Sequence, residues 1–175
     1  MRRLLLLRHA KAERLQPGGR DQDRALTERG CAAAKTLGAY LARHHSIPDC
    51  AVVSTAARTR ETWTRLAKAF GHAPPARFED RLYDASPHAM LEVIKETAAE
   101  IGTLLVVGHN PGLQELAAML VATGDVEARE RLGREFPTCA LATISFAAEN
   151  WGGVHAHGGR LEHFVTPSWL ATATD

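Results

Sequence analysis

Aromatic residues are scarce in this chain, 6% of 175, and cysteine is scarcer: Cys31, Cys50 and Cys139, with no CxxC pair. An odd count without that spacing argues against a disulfide framework or a zinc knuckle, so the three read as buried free thiols. Charge of one sign is lacking too. Lys and Arg number 21 against 20 Asp and Glu, leaving +1. That balance argues against a nucleic-acid binder, whose affinity comes from neutralising many phosphates. No apolar run approaches the roughly 18 residues of a membrane span. The opening Met1-Arg2-Arg3 followed by Leu4 to Leu7 mimics a leader, but Arg8 and His9 end its apolar stretch after four residues. A secretory core needs about 7–15, so a cytoplasmic protein is expected. A P-loop lysine motif, an HExxH pair and a DxDxDG loop are all missing.

Hydrophobic residues make up 45% of the chain, enough for one compact domain over residues 1–175. Charge is distributed unevenly. Residues 1–60 hold 12 Lys and Arg against 5 Asp and Glu, whereas residues 61–175 hold 9 against 15. A neutral whole with a basic first third suits a local anion site better than a groove for a long polyanion.

Three short apolar runs, residues 4–7, 51–53 and 103–107, fit strands buried on both faces. Helical spacing follows the first two: Ala33, Leu37, Tyr40, Leu41 and His44 after a Thr27 cap, then Thr59, Thr62, Trp63, Leu66, Ala67 and Phe70 up to Gly71. Ser86-Pro87 starts a helix with Met90, Leu91, Ile94 and Ala98 on its apolar face. The turn 108–112 opens another, carrying Leu113, Leu116, Ala117 and Leu120. Residues 141–146 and 161–165 read as antiparallel strands around glycine turns. Trp63, Trp151 and Trp169 read as packing residues. The polar stretch 11–24 is a long loop for so small a domain, and such loops usually carry function. This alternation predicts an α/β fold, a three-layer α/β/α sandwich whose central sheet is mostly parallel with an antiparallel edge strand.

Ligands in such folds sit beyond the carboxyl ends of the strands. There, Arg8 and His9 follow the first strand, Arg58 lies five residues past Val53, and His109 lies two past Val107. If the strands are parallel neighbours, two Arg and two His converge on one crevice. That is a site for a compact dianion such as phosphate. An imidazole beside two guanidinium groups resists protonation and keeps its nucleophilic lone pair. The arginines supply the positive charge, so no metal or other cofactor is expected. His155 and His157 would make a metal pair, but no third ligand stands at a suitable spacing, and a solvated turn is favoured.

These residues resemble the histidine phosphatase (phosphoglycerate mutase-like) superfamily. Arg8-His9-Ala10-Lys11 is similar to its RHG-type signature, with Ala10 in place of glycine as in the branch of SixA-type phosphohistidine phosphatases. Asp23-Arg24-Ala25-Leu26-Thr27-x-x-Gly30, Ser54-x-Ala56-x-Arg58-Thr59-x-x-Thr62 and Val106-Val107-Gly108-His109-Asn110-Pro111 follow in the family's order. The resemblance implies a phosphoglycerate mutase-like fold and a phosphatase. It makes His9 the phosphate-accepting nucleophile, with Arg8, Arg58 and His109 completing the catalytic pocket. Arg24 and Asn110 become substrate-binding candidates. Larger members place an acidic residue between the motif halves, and Asp84 stands nearest that spot as a possible general acid. The implied activity is metal-independent removal of phosphate from phosphohistidine on a protein, through a phosphohistidine enzyme intermediate. Two alternatives stay open: a phosphatase for small phosphomonoesters such as sugar or nucleotide phosphates, and an inactive phosphate-binding adaptor. The expected partner is thus a phosphorylated protein or a small phosphate ester, with no nucleic acid and no membrane.

Overall fold

Leu4, Leu5, Leu6 and Leu7 have no exposed surface, which a single strand achieves only when both of its faces are covered. The computed structural model describes residues 1–173 and shows how this arises. Strand β1 (Arg2–Arg8) lies inside a seven-stranded sheet with β2 (Cys50–Ser54), β3 (Ala76–Glu79), β4 (Thr103–Gly108), β5 (Val121–Gly124), β6 (Leu141–Phe146) and β7 (Gly159–Val165), in the order β3-β2-β4-β1-β6-β7-β5. Alternate side chains pass to opposite faces. Leu4 and Leu6 therefore join one core with Leu104, Val106 and Trp151, while Leu5 and Leu7 join the other with Val53, Leu105 and Val107. Burying one leucine contributes about 2 kcal/mol, so this strand alone anchors both layers.

Helices α1 (Glu28–Arg43), α2 (Ala57–Ala67) and α6 (Pro167–Ala173) cover the second face. Helices α3 (Pro87–Lys95), α4 (Gly112–Leu120) and α5 (Val126–Arg134) cover the first. Thr27 caps α1 by accepting from the Gly30 amide at 3.0 Å, and Ser86 caps α3 by accepting from Ala89. The three layers and the mostly parallel sheet are as expected. The antiparallel strand is not at an edge, however. It is β6, which lies between β1 and β7 and runs opposite to both. Strand β5 then closes the sheet in parallel with β7. Hydrophobic periodicity reports burial and says nothing of lateral order, and the polar segments 121–134 gave no signal for β5 or α5.

Cys139 is buried, but Cys31 and Cys50 are only partly so. Trp63 and Trp151 pack in the cores, whereas Trp169 remains 39% exposed, edge-on to Tyr40. Among the described residues no helix is long and apolar enough to cross a membrane, and no group of three or more His, Cys, Asp or Glu could hold a metal ion.

Candidate active site

Register brings the candidate residues together. Leu7 pairs with Val107 and Val107 with Val53 in parallel, so β1, β4 and β2 end at one level. Their next residues emerge side by side at the carboxyl end of the sheet. The rings of His9 and His109 lie 5.4 Å apart between centroids, inclined at 54°. Both are buried, as is Arg58, while Arg8 is half-buried.

Local chemistry fixes each of them. The His9 amide donates to Gly108 O at 3.1 Å. Its ring Nδ1 lies 2.8 Å from Ala10 O. A carbonyl only accepts, so Nδ1 carries the hydrogen and Nε2 keeps its lone pair. Thr62 Oγ1 donates to Arg58 O at 2.7 Å and accepts from the Ala10 amide at 3.0 Å, tying helix α2 to the residue after His9. Thr59 Oγ1 reaches both Ser54 O (2.7 Å) and Ala56 O (2.8 Å), closing the turn into α2. Ser54 Oγ in turn lies 2.7 Å from His109 Nε2. Leu26, Thr27 and Gly30 dock the long loop against the chain just past His9. The Thr27 amide donates to Lys11 O at 2.9 Å, and a Cβ on Gly30 would meet that oxygen at 2.1 Å.

Arg8 Nη1 donates to Phe136 O at 3.0 Å, and Asn110 Nδ2 donates to the same carbonyl at 3.0 Å. Asn110 thus braces the 135–139 segment and Arg8. Arg24 donates from Nε to Glu13 O (2.7 Å) and from Nη1 to Asp21 Oδ1 (3.0 Å). Arg58 also binds Asp21, through Nη1 to its main-chain oxygen (2.9 Å) and Nη2 to Oδ2 (3.1 Å). Tyr83 donates its hydroxyl to Oδ2 at 2.5 Å. Its ring meets His109 edge-on at 5.5 Å and lies 5.9 Å from the Arg58 guanidinium.

Asp21 and Tyr83 are the site residues that sequence reasoning missed. Asp84 is exposed at a backbone φ of +51°, and among the described residues it makes no hydrogen bond or ion pair. The segment searched for an acid does enter the site, one residue earlier and with a phenol. For Asp21 the available signal was charge: an arginine buried at Arg58 calls for a counter-ion, and the adjoining loop holds few acidic residues.

Three buried polar atoms here have no partner: Arg8 Nε, Arg58 Nε and His109 Nδ1. Buried polar groups are nearly always paired, so three orphans around one spot mark a place for an oxyanion. Arg24 and Arg58 share Asp21, and Arg8 lies in the field of Glu135, so guanidinium groups outnumber carboxylates, as an oxyanion site requires. Burial pulls the His9 imidazole down to about 4, helped by Arg58, Arg8 and Arg24 and opposed by its bond to Ala10. Burial, Arg58 and the neighbouring His9 take His109 to about 3. The Tyr83 hydroxyl, then Arg24 and Arg58, hold the Asp21 carboxyl far below the usual carboxylate range, and Asp21 in turn raises the Tyr83 phenol. At neutral pH the site therefore holds two neutral imidazoles and one ionised carboxylate. Chemically it can bind a tetrahedral oxyanion and present a nucleophilic nitrogen to it.

Comparison with known proteins points the same way. A model of the histidine phosphatase superfamily (branch 1) matches residues 4–100. An uncharacterised protein of Mycobacterium tuberculosis is 34% identical over 163 residues, 92% of this chain and 99% of that one. Among solved structures, the candidate phosphohistidine phosphatase SixA of Nakamurella multipartitia is 32% identical with a TM-score of 0.82, covering 95% of this chain and 96% of that one. The candidate phosphohistidine phosphatase SixA of Agrobacterium tumefaciens is 34% identical with a TM-score of 0.79, covering 95% and 98%.

Proposed function

The chain belongs to the histidine phosphatase superfamily, and on that premise we propose that it removes phosphate from phosphohistidine on a protein. We place it in the cytoplasm as a single domain, with His9 as nucleophile and Arg8, Arg58 and His109 binding the transferred group. The SixA description of the two solved relatives agrees with this reading.

One observation favours phosphohistidine over a phosphate ester. The carboxylate in the pocket, Asp21, is locked in its ionised form by Tyr83, Arg24 and Arg58, and the Tyr83 proton is committed to Asp21. An alkoxide leaving group needs a proton donor. A phosphoimidazole protonated at its other ring nitrogen needs none. His9 Nε2 attacks phosphorus, the P–N bond to the substrate ring breaks, and that ring departs as neutral imidazole. The Nδ1 proton of His9 stays in place against Ala10 O, where the carbonyl stabilises the cationic phosphorylated ring. Water then forms the new P–O bond, the P–N bond to His9 breaks, and both water protons leave on inorganic phosphate. Arg8 and Arg58 neutralise the equatorial oxygens throughout, the charge a metal ion would otherwise supply.

The test sets a histidine-phosphorylated protein against a panel of small phosphate esters. Phosphohistidine turnover should exceed ester turnover, with an acid-labile, alkali-stable phosphoenzyme in the wild type and none in His9→Ala. Faster turnover of the esters overturns the substrate assignment. Absence of turnover on every substrate would instead fit the adaptor.

A further inference from the structure

The loop that braces Arg8 has a second side. Its Phe136 carbonyl faces Arg8 and Asn110, and the Cys139 amide donates to the carbonyls of Arg8 (3.1 Å) and His9 (3.0 Å). Residues of this same loop, Glu135, Pro137 and Thr138, line a cleft of about 710 Å³ against α1, α5 and α6. One short segment thus separates the nucleophile from that cleft.

Three arginines line the cleft against a single carboxylate, Glu135, and the charge of Glu135 is already felt by Arg8. Arg131 is fixed in place, its guanidinium 5.6 Å from the Phe164 ring centroid and its Nη2 3.4 Å from Phe164 O. Neither contact neutralises it. Among the described residues the Arg134 side chain pairs only with Glu130, exposed and at 3.4 Å, an interaction worth little in water. Arg29, in the first turn of α1, has no ion pair or hydrogen bond among the described residues. Its helix start is the one docked on Lys11 O, two residues past His9. The floor is partly apolar, with Phe164 and Pro137, so the surface suits a polypeptide better than a bare ion.

We propose that this cleft docks an acidic stretch of the phosphoprotein that presents its phosphohistidine to His9. The inference rests on the phosphatase reading above and adds the kind of protein it acts on: one with Asp and Glu clustered beside the phosphorylated ring. Charges at the rim of an interface govern encounter rate and salt dependence, and the charges that act on His9 are those of Arg58, Arg8 and Arg24 rather than of the cleft arginines.

The experiment uses Arg29→Glu/Arg134→Glu in the full chain. A fluorescent, unphosphorylated peptide rich in Asp and Glu should bind the wild type with salt-sensitive affinity, and the variant about tenfold more weakly. KM for a histidine-phosphorylated acidic protein should rise about tenfold, with turnover of phosphoramidate unchanged. Equal peptide affinity in the two proteins overturns the proposal. So does an equal loss on phosphoramidate, which would place the arginines in the phosphate site itself. If the wild type releases phosphate from no phosphohistidine, the phosphatase reading fails separately, and the peptide titration still decides the cleft.

Discussion

Two clusters of arginine and carboxylate sit near the ends of neighbouring strands and behave oppositely. Past β3, Arg81 holds Glu79 at 2.9 Å and Glu96 at 2.7 Å, and Arg77 holds Glu79 at 2.6 Å. Two cations meet two anions, and the Arg81 and Glu96 side chains are about half exposed, at 49% and 51%. Past β1 and β2, Asp21 holds both Arg24 and Arg58 beside Arg8, and the Arg58 side chain is 8% exposed. The first cluster balances itself, and its Arg77, Arg81 and Glu96 are open to solvent. The second has a buried arginine, Arg58, carries excess positive charge and leaves donors unpaired. Fold stability does not call for that arrangement, because an uncompensated buried charge is destabilising. An unbalanced, partly unsatisfied cluster is instead suited to binding an anion, whereas a balanced one at the surface is ordinary solubility chemistry.

Substitution can break or sharpen that contrast. The largest effect is expected for Arg58→Ala, which removes the proposed hydrogen-bond donor to phosphate and the partner of Asp21; kcat/KM should fall on the order of 10²–10³-fold. A loss under tenfold in steady-state assays would remove Arg58 from the transition state. Next comes pH. His9 and His109 stay neutral in the fold down to about 4 and about 3, while the unfolded chain protonates them below about 6.5. The unfolded state therefore binds more protons over this interval. Stability should drop as pH falls from about 6.5 towards 4, on the order of 2–3 kcal/mol for each ring, read by urea unfolding. In NMR titration neither ring should show an inflection near 6.5. A smaller change is expected from Asp21→Asn. With the Asp21 charge gone, the three arginines should bind inorganic phosphate about tenfold more tightly, while kcat falls as Arg58 loses its brace; weaker phosphate inhibition would contradict this. Least of all, Arg81→Ala should leave kcat/KM unchanged and the urea midpoint nearly so.

The four convergent residues were legible because each lies within five residues of the end of a strand-length apolar run, and parallel strands deliver such residues to one end. Thr27 and Ser86 were legible as caps for the same local reason. Asp21 and Tyr83 were not. Asp21 works through a three-residue turn inside the polar loop, Asp21–Asp23, where no periodicity assigns a direction. Tyr83 enters the site because the chain turns at Asp84, a positive-φ position that residue identity did not disclose. The interior place of β6 was hidden as well, since strand order is decided by pairings far apart in sequence.

That reversed strand has a practical consequence. Because β6 starts where β1 stops, Leu141 opposite Leu7, the approach to it passes the mouth of the crevice, and its first residues come from more than a hundred positions downstream of Arg8. A forward-running strand at the same place would have sent its approach to the bottom of the molecule. The passage between α5 and β6 is therefore tied to the reactive end of the sheet: the Phe136 carbonyl takes Arg8 and Asn110, and the Cys139 amide bonds the Arg8 and His9 carbonyls. Any shift of that main chain is felt on both sides at once, at the nucleophile and in the cleft.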